Sequence, residues 1–498
     1  MADSDPPVII IGAGIVGVAT AIWLQRLGRR VLLIDRAGPA SGTSHGNAGV
    51  LAACSVVPVT VPGLLRKAPA MLANPDEPLF LHWPYLPRLT PWLLRYLSHC
   101  NPQDVRRIAA AMTPLVADTL AQHQALAADT PAARYLHPGD YLFAYRDKAH
   151  FEADAFGWSV RRDSGFEWET LEGGAFRAVE PALGQEHGFA VRLRNHGRIS
   201  DPGLYTKALA DHACAQGAEM VIAPVDGFDL LDGRVIAVLA AGRRLPCAAV
   251  VIATGAWSRP LCDQLGLSVP LETERGYHLD LWGATRKPTS PVMVASLKVV
   301  ATPMDDRLRL AGAVEFAGLG ASASRPPFEM LKRAVARLLP GIEWRQADEW
   351  MGHRPAPADS IPLIGPVPGV GSAFLAFGHH HVGLTGAPKT GRLLAQHIVG
   401  MPTDVPLAPD DQARFGAGAG PPGLRPADTA PIRYSSATVG ARATHPTNTD
   451  PGGTIHAKAD QVVAGVRAGR GRFDGLCASR PCREMGHADG LFGHQLSL

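Results

Sequence analysis

The chain carries little net charge and few cysteines, and both shortages narrow what it can do. The formal net charge is only +3 over 498 residues. Basic and aromatic residues do not alternate as they do in proteins that bind single-stranded nucleic acids, so we expect no nucleic-acid partner. The seven cysteines are scattered and odd in number, which does not make a disulfide framework and favours a reducing compartment. Cys477 and Cys482 have no second ligand pair nearby, so zinc is not expected.

The apolar stretch at residues 7–24 also lacks the features of a targeting segment. This stretch has no charged residue and is long enough to suggest a membrane helix. It lacks the basic flank and the small-residue cleavage site of a signal peptide. Its β-rich opening and its regularly spaced glycines favour a strand, a turn and a helix instead. We therefore expect no transmembrane segment and a cytoplasmic protein, with peripheral contact at the inner face of the plasma membrane left open.

What the stretch does contain is a glycine pattern of the form G-x-G-x-x-G, at Gly12, Gly14 and Gly17. The first glycine allows a tight turn, the second lets the backbone approach a pyrophosphate, and the third lets helix and strand pack closely. Asp35 ends the next apolar run, where an acid can hold ribose hydroxyls. The pyrophosphate would lie on the free N–H groups of the helix start. The pattern predicts a dinucleotide site.

Further along, hydrophobic periodicity predicts helices and strands separated by turn residues. The predicted helices are 103–128, 203–217, 327–339 and 386–399, and the predicted strands are 219–225, 234–240 and 248–253. Asp232 and Gly233 predict a hairpin turn between the first two of these strands. The strand at 248–253 runs into Thr254 and Gly255, which is where open α/β sheets bind ligands.

These elements predict an α/β fold, with a Rossmann-like nucleotide-binding domain assembled from discontinuous segments and a β-rich second domain of α+β type. The expected boundaries are 1–55, 195–270 and 350–405 for the first domain, and 56–194 and 271–349 for a substrate-binding cap. From about residue 410 onward Gly, Ala, Pro, Arg and Thr dominate and apolar periodicity is lost. We therefore expect a low-complexity, disordered tail at 410–498.

Six short motifs occur in one order along the first four fifths of the chain. They are the glycine turn with Asp35, Thr43-Ser44-His45-Gly46-Asn47-Ala48-Gly49, Ile199-Ser200-Asp201-Pro202, Ala253-Thr254-Gly255-Ala256-Trp257-Ser258, Arg275-Gly276-Tyr277-His278 and Phe377-Gly378-His379-His380-His381-Val382-Gly383-Leu384-Thr385. The ordered set resembles the FAD-dependent amine oxidoreductases of the D-amino-acid oxidase superfamily, and within it the bacterial D-amino acid dehydrogenases. The resemblance covers roughly residues 7–405.

The resemblance implies FAD as cofactor, where the glycine pattern alone indicates only a dinucleotide. The family more often has Glu at the ribose position, and Asp35 keeps the acceptor chemistry. No cysteine lies in the 377–385 segment, so we expect a non-covalent flavin. The expected cofactor-binding residues are Gly12, Gly14, Ile15, Val16, Gly17, Asp35, Arg36, Thr43, Ser44, Asn47, Ala48, Gly49, Val225, Thr254, Gly255, Trp257, Gly378, Val382, Gly383, Leu384 and Thr385.

The substrate-binding residues are expected where the chain returns to the cofactor domain. In amine oxidation the flavin takes a hydride, and the protein must hold the substrate carboxylate, for which a planar guanidinium is best suited. Arg354 is the candidate, with a structural arginine as its alternative. Tyr277 either contacts the carboxylate or the ring, or packs in a core. Among His379, His380 and His381, adjacency argues against a shared metal ion, and His380 is taken as the residue near the substrate.

The implied reaction is oxidation of a D-amino acid to a 2-oxo acid and ammonia, with electrons passed to a respiratory acceptor such as a quinone. A cyclic or secondary amine (D-proline, hydroxy-D-proline, glycine or sarcosine) is the nearer alternative. A non-catalytic FAD-binding protein is the alternative of another class. The residues do not distinguish an oxidase from a dehydrogenase.

Overall fold

A computed structural model describes residues 5–407, so the expected tail, with Cys477 and Cys482, lies outside the described residues. The strands are β1 (Val8–Ile11), β2 (Val31–Asp35), β3 (Leu79–Leu81), β4 (Leu136–Tyr145), β5 (Glu169–Glu172), β6 (Phe189–Ile199), β7 (Glu219–Ile222), β8 (Val225–Leu231), β9 (Arg234–Ala240), β10 (Arg243–Pro246), β11 (Ala249–Ile252), β12 (Leu271–Trp282), β13 (Val292–Val294), β14 (Val299–Pro303), β15 (Arg307–Phe316), β16 (Gln346–Pro357), β17 (Leu363–Pro366) and β18 (Ala373–Phe377). The α-helices are α1 (Ile15–Arg26), α2 (Leu64–Ala73), α3 (Leu86–Ser98), α4 (Pro102–Val116), α5 (Thr119–Ala127), α6 (Lys148–Glu152), α7 (Ala155–Asp163), α8 (Gly173–Val179), α9 (Pro202–Ala215), α10 (Arg259–Gln264), α11 (Arg325–Leu338) and α12 (Gly383–Ile398).

The apolar stretch near the start folds as a strand, a turn and a helix, as its pattern predicts. All four residues of β1 are buried, and α1 buries eight of its twelve residues, which explains why the segment is apolar all round. Within residues 5–407, no helix combines the length and apolarity needed to cross a membrane.

The first sheet joins six strands from widely separated parts of the chain, in the order β17-β18-β11-β1-β2-β7. All neighbours are parallel except β17 and β18. Val8 lies opposite both Val31 and Ala249. The parallel core confirms the predicted discontinuous Rossmann-like α/β fold.

This sheet is covered on both faces, as a parallel sheet requires. Helices α1, α9 and α12 pack on one face with Ile10, Leu33 and Val251. The small antiparallel sheet β10-β9-β8 and helix α10 pack on the other, against Ile9 and Ile252. The covering layers leave the carboxyl ends of the parallel strands open, which is where the site lies.

The second sheet has nine strands and supplies the β-rich part of the fold. Its order is β16-β12-β15-β14-β13-β4-β6-β5, with β3 added beside β15. Helices α8 and α11 pack on one face of it. Strand β12 pairs with β16 along its whole length, and this pairing places Glu274 opposite Arg354.

Two local predictions were wrong in detail. The helix predicted at 103–128 is two helices, because the chain turns at Asp118, whose carboxylate accepts a hydrogen bond from Lys389 of α12 at 3.0 Å. The strand predicted at 219–225 ends earlier, as β7, and pairs with β2. The hairpin turn at Asp232 and Gly233 is present with both φ angles positive, but it joins β8 to β9.

Candidate functional site

A cavity of about 560 Å³ opens at the carboxyl ends of β1, β2 and β11. Its wall contains most of the residues expected to bind the cofactor. They are Gly12, Gly14, Ile15, Val16, Asp35, Arg36, Thr43, Ser44, Asn47, Val225, Thr254, Gly255, Trp257, Gly383 and Leu384. Chain segments more than 300 residues apart therefore meet at one ligand-sized space.

The glycine turn brings bare backbone to this cavity. Gly12 has φ +109°, and a Cβ there would lie 2.4 Å from the carbonyl oxygen of Ala253, so only glycine fits. Gly14 caps α1, and its missing Cβ leaves the N–H groups of the first turn accessible. The Ile15 N–H donates to Ser44 Oγ at 2.9 Å. The positive end of α1 therefore faces the cavity, as an anion site requires.

Asp35 stands at the end of β2 with its carboxylate held by backbone. Its Oδ2 accepts from the Ala13 N–H at 2.8 Å, and its Oδ1 accepts from Ala37 and Gly38 N–H groups at 2.9 and 3.0 Å. Oδ1 is saturated by its two bonds, whereas Oδ2 retains acceptor capacity for a hydroxyl. Beside it, the Arg36 guanidinium lies 4.0 Å from the centroid of Trp257, which makes a flat cationic and aromatic wall.

The loop at residues 38–49, here called the cofactor loop, is tied to the nine-stranded sheet through its carbonyls. Arg309 Nη1 donates to the carbonyls of Asn47 and His45 at 2.7 and 3.1 Å. The Asp280 carboxylate accepts bonds from Arg309 Nε and Nη2 at 2.7 Å each. Burial opposes ionisation of Asp280, but the hydrogen bonds and charge of Arg309 hold its pKa at about 2. A buried ion pair therefore fixes the loop that carries Thr43, Ser44 and Asn47.

A second loop, residues 378–382, forms the wall before α12 and is called the histidine loop. His379 and His380 line the cavity, whereas His381 is not among its lining residues. His379 Nε2 lies 3.0 Å from Thr390 Oγ1, and burial lowers its pKa to about 4. His380 has a left-handed φ of +52°, and its N–H donates to the Pro355 carbonyl at 2.9 Å. Among the described residues, no cluster of acids, histidines and cysteines could hold a metal ion.

Arg354 lies on β16 immediately before cavity-lining Pro355, but it is not itself on the cavity wall. Its guanidinium packs over Gly276, where a Cβ would lie 2.3 Å from Arg354 Cζ. Nη1 donates to the Ala313 carbonyl at 3.1 Å, and across residues 5–407 this is its single hydrogen bond. Burial lowers the pKa of Arg354, and the opposing charge of Glu274 raises it. The guanidinium therefore keeps spare donors beside the cavity.

Tyr277 lies elsewhere than expected. Side chains alternate along a strand, so Tyr277 points to the face of β12 opposite to that of Glu274 and His278. Its hydroxyl donates to Glu315 and accepts from the Ser324 N–H at 3.2 Å, and its ring packs 5.0 Å from Phe328. The side chain is 1% exposed, so the alternative of a packed core tyrosine is the one observed.

Six further expected cofactor residues do not line the cavity, namely Gly17, Ala48, Gly49, Gly378, Val382 and Thr385. Gly17 packs directly behind the wall, since a Cβ there would lie 1.9 Å from the Gly12 carbonyl oxygen. Gly378 has φ +87° and faces Pro357. Sequence reasoning missed wall residues that carry no motif, namely Ala223, Pro224, Asp226, Pro260, Leu261, Gln264 and Pro355. Their position depends on tertiary packing, for which no local pattern gives a signal.

These residues fit a dinucleotide that carries a flavin. The cavity has room for a long ligand. The glycine turn and the start of α1 present N–H groups to a pyrophosphate, and Asp35 Oδ2 presents an acceptor to a ribose. The start of α12 meets the other end of the same cavity through Gly383 and Leu384. Its positive end can stabilise negative charge on a bound ring.

Comparison with known proteins agrees with this geometry. Residues 7–397 match the family model DAO, described as FAD dependent oxidoreductase. A D-amino-acid oxidase of Bradyrhizobium diazoefficiens is 38% identical over 415 residues, covering 82% of this chain and 98% of that protein. A D-amino acid dehydrogenase of Methylobacterium nodulans is 33% identical over 408 residues, covering 80% and 96%.

Solved structures share the fold at low identity. Glycine oxidase from Geobacillus kaustophilus superposes with a TM-score of 0.58 at 23% identity, over 81% of this chain and 96% of that one. The L-alpha-glycerophosphate oxidase of Mycoplasma pneumoniae, solved with FAD bound, gives 0.58 at 17% identity, over 79% and 94%. With the matched family model and the two relatives above, this likeness leads to one conclusion: the chain belongs to the DAO family of FAD-dependent oxidoreductases, and its cofactor is FAD.

Proposed function

We propose that the protein oxidises D-amino acids to 2-oxo acids and ammonia and passes the electrons to an acceptor other than oxygen, such as a respiratory quinone. The observation that carries the substrate class is the 38% identity to a D-amino-acid oxidase over nearly the whole length of that relative. Four further relatives at 30–33% identity are named D-amino acid dehydrogenase, which favours the acceptor proposed.

The cofactor is proposed to be held without a covalent bond by the cavity residues named above. Gly12, Gly14 and the first turn of α1 receive the pyrophosphate, and Asp35 receives a ribose. When bound, FAD supplies the acceptor for the hydride that leaves the substrate α-carbon. The cofactor loop and the histidine loop supply the walls that orient it and exclude water.

Arg354 is proposed to bind the substrate carboxylate. Its half-buried guanidinium packs over Gly276 and keeps donors free, and a charge-assisted bidentate pair with a carboxylate is strong. Pro355, the next residue, lies on the cavity wall. A carboxylate held by Arg354 would therefore place the α-carbon beside the cavity, so that binding and orientation are achieved together.

An anaerobic titration tests the substrate class. The purified holoprotein is mixed with single D-amino acids, their L-enantiomers, glycine, sarcosine and D-proline, and bleaching of the flavin absorbance is followed. We expect bleaching by D-amino acids with primary amino groups. Bleaching by the cyclic or secondary amines alone would assign the alternative substrate, and no bleaching by any amine would favour a non-catalytic flavoprotein.

The acceptor is tested after reduction. The reduced protein is exposed either to air-saturated buffer or, without oxygen, to a soluble quinone. Rapid reoxidation by the quinone with slow reoxidation by oxygen is the expected result. Equal or faster reoxidation by oxygen would make the protein an oxidase and would overturn this part of the proposal.

A further inference from the structure

A polar cluster adjoins the cavity, and of its four side chains only Arg354 has a role in the function proposed so far. It brings together Glu274 of β12, His380 of the histidine loop, Tyr96 of α3 and Arg354 of β16. His380 Nε2 lies 2.7 Å from Glu274 Oε2, and the Tyr96 hydroxyl donates to Glu274 Oε1 at 3.3 Å. Glu274 is 2% exposed and His380 5% exposed, and His380 lines the cavity.

The cluster is costly to build, which is unusual for simple packing. A buried carboxylate loses its hydration and must be compensated, and a non-glycine residue with positive φ is strained. His380 has such a φ, and its N–H is held by Pro355. Burial opposes ionisation of Glu274, but His380, and after it Arg354 and His381, lower its pKa below the ordinary value. Glu274 is therefore a fixed negative charge behind His380.

The oxidation needs an acceptor for the proton of the substrate ammonium. The α-ammonium group of an amino acid has no lone pair, and the nitrogen must supply one as the α-carbon gives up a hydride. The contact of His380 Nε2 with Glu274 Oε2 is an ion-pair distance of 2.7 Å without hydrogen-bond geometry. The negative carboxylate so close to Nε2 favours the ring proton on that nitrogen, and Nδ1 then carries the ring's lone pair. No hydrogen bond to this Nδ1 is found within residues 5–407. The register of Glu274 with Arg354 places the carboxylate-binding group on the same face of the sheet.

We propose that His380 accepts the proton of the substrate ammonium and that Glu274 positions the ring and stabilises the imidazolium. The N–H bond of the ammonium breaks, its electron pair stays on the substrate nitrogen, and the proton forms a bond to His380 Nδ1. The pair of side chains changes from a net charge of −1 to 0, and no oxidant is consumed. This proposal rests on the proposed function, since it assumes an amino-acid substrate bound by Arg354.

The other groups that face His380 do not titrate near neutral pH. Burial, followed by the charge of Glu274, raises the pKa of Tyr96 well above its ordinary value. The His381 ring lies 5.3 Å away, and burial is the main cause that lowers its pKa to about 3. Arg354 stays cationic. A change in pH dependence on substitution of this cluster would therefore report on the Glu274–His380 pair.

The test is the pH dependence of anaerobic flavin reduction by a D-amino acid in the wild type, Glu274→Gln and His380→Asn. In the wild type, the flavin should be reduced rapidly even at pH values well below the pKa of the free substrate ammonium. In His380→Asn we expect a loss of about 10²-fold at pH 7 that disappears as the pH passes the substrate's own pKa. Glu274→Gln should show the same pattern with a smaller loss, because the imidazolium loses its counter-charge, and Glu274→Asp should recover part of it.

His82→Asn is the control, because His82 is an exposed histidine that does not line the cavity. It should leave unchanged the pH at which the rate of flavin reduction begins to fall. The proposal would be overturned if His380→Asn slowed flavin reduction equally at all pH values. It would also be overturned if neither His380→Asn nor Glu274→Gln shifted the pH at which the rate falls. Flavin content of every variant is measured to confirm that the cofactor site is intact. Wild-type flavin that D-amino acids do not reduce would instead refute the proposed function.

Discussion

At the scale of single residues, the cavity depends on positions where one added group decides whether an anion can approach. Gly14 is such a position, since a Cβ there would lie 3.2 Å from Ser44 Oγ, which accepts a hydrogen bond from the Ile15 N–H. A methyl group needs only a small shift of Ser44. A carboxylate would in addition place negative charge at the start of α1, where the pyrophosphate is expected.

Gly14→Glu is therefore expected to lose FAD. The measurement is the ratio of flavin to protein absorbance after purification, together with the melting temperature. Gly174→Glu is the matched control, because Gly174 has no atom within 4 Å of a built Cβ and should retain FAD. A fully loaded Gly14→Glu protein would contradict the assignment of the turn.

Arg354→Lys tests the carboxylate contact. Lysine keeps the charge but loses the planar fork, and a hydrogen bond to a charged group contributes about 1.5–3 kcal/mol. We expect kcat/KM for D-amino acids to fall by roughly tenfold to a hundredfold, with FAD retained. Exposed Arg345 supplies the control substitution, Arg345→Lys. Unchanged kinetics in both Arg354→Lys and Arg354→Ala would remove Arg354 from the substrate site.

At the scale of elements, the cavity depends on the close approach of α1 and α12. Gly391 of α12 faces α1, and a Cβ there would lie 2.7 Å from Ala19 C and from Thr20 N. Both atoms belong to helix backbone, which cannot yield as a side-chain tip can. The starts of these two helices lie on the same cavity wall, so their separation sets its width.

Gly391→Ala and Gly386→Ala form a matched pair on one helix. Each gains roughly 1 kcal/mol of helix propensity. Overpacking costs about 1–3 kcal/mol and applies to Gly391, whereas the nearest atom to a Cβ at Gly386 is 3.7 Å away. We expect a lower melting temperature and weaker FAD retention for Gly391→Ala alone. Equal melting temperatures would contradict the inferred contact.

The same scale shows what the sequence could predict. The β1-α1-β2 unit was predictable because its strand, glycine turn and helix follow from adjacent residues. The clamp of Arg309 and Asp280 on the cofactor loop was not, since Arg309 and Asn47 are 262 residues apart. Tyr277 was misplaced for a related reason, because an isolated motif gives the strand but not which of its faces meets the site.

At the scale of the whole molecule, buried histidines should make stability depend on pH. His123 bridges the Tyr205 hydroxyl at 2.8 Å and the Leu384 carbonyl at 2.9 Å, and burial lowers its pKa to about 4. Burial likewise lowers the pKa of His379 to about 4. In the unfolded chain, the pKa of an imidazole is about 6.5. The unfolded state therefore binds more protons between these values, and stability falls as pH falls through this window.

We expect the free energy of unfolding of the holoprotein to drop steadily from pH 6.5 to 4, by about 1.4 kcal/mol per unit of pH for each such histidine. Urea unfolding at pH 7, 5.5 and 4.5 measures this slope. His123→Gln should reduce this slope by the contribution of one histidine, whereas substitution of exposed His82 by Gln should leave the slope unchanged. An equal slope in the wild type and His123→Gln would show that His123 does not remain neutral in the folded protein.

The six-stranded sheet also determines when the protein can acquire its cofactor. Val8 is synthesised well before its partner, so its strand must wait for Ala249, and Val250 in turn pairs with Ala373. The cavity wall runs from Ile11 to Leu384, so no shorter nascent chain can enclose FAD. Such distant pairing slows folding and leaves apolar strands exposed meanwhile. FAD can therefore bind only after nearly the whole family domain has been synthesised. Scarcity of FAD would accordingly reduce the amount of folded protein, because binding to the native state stabilises it.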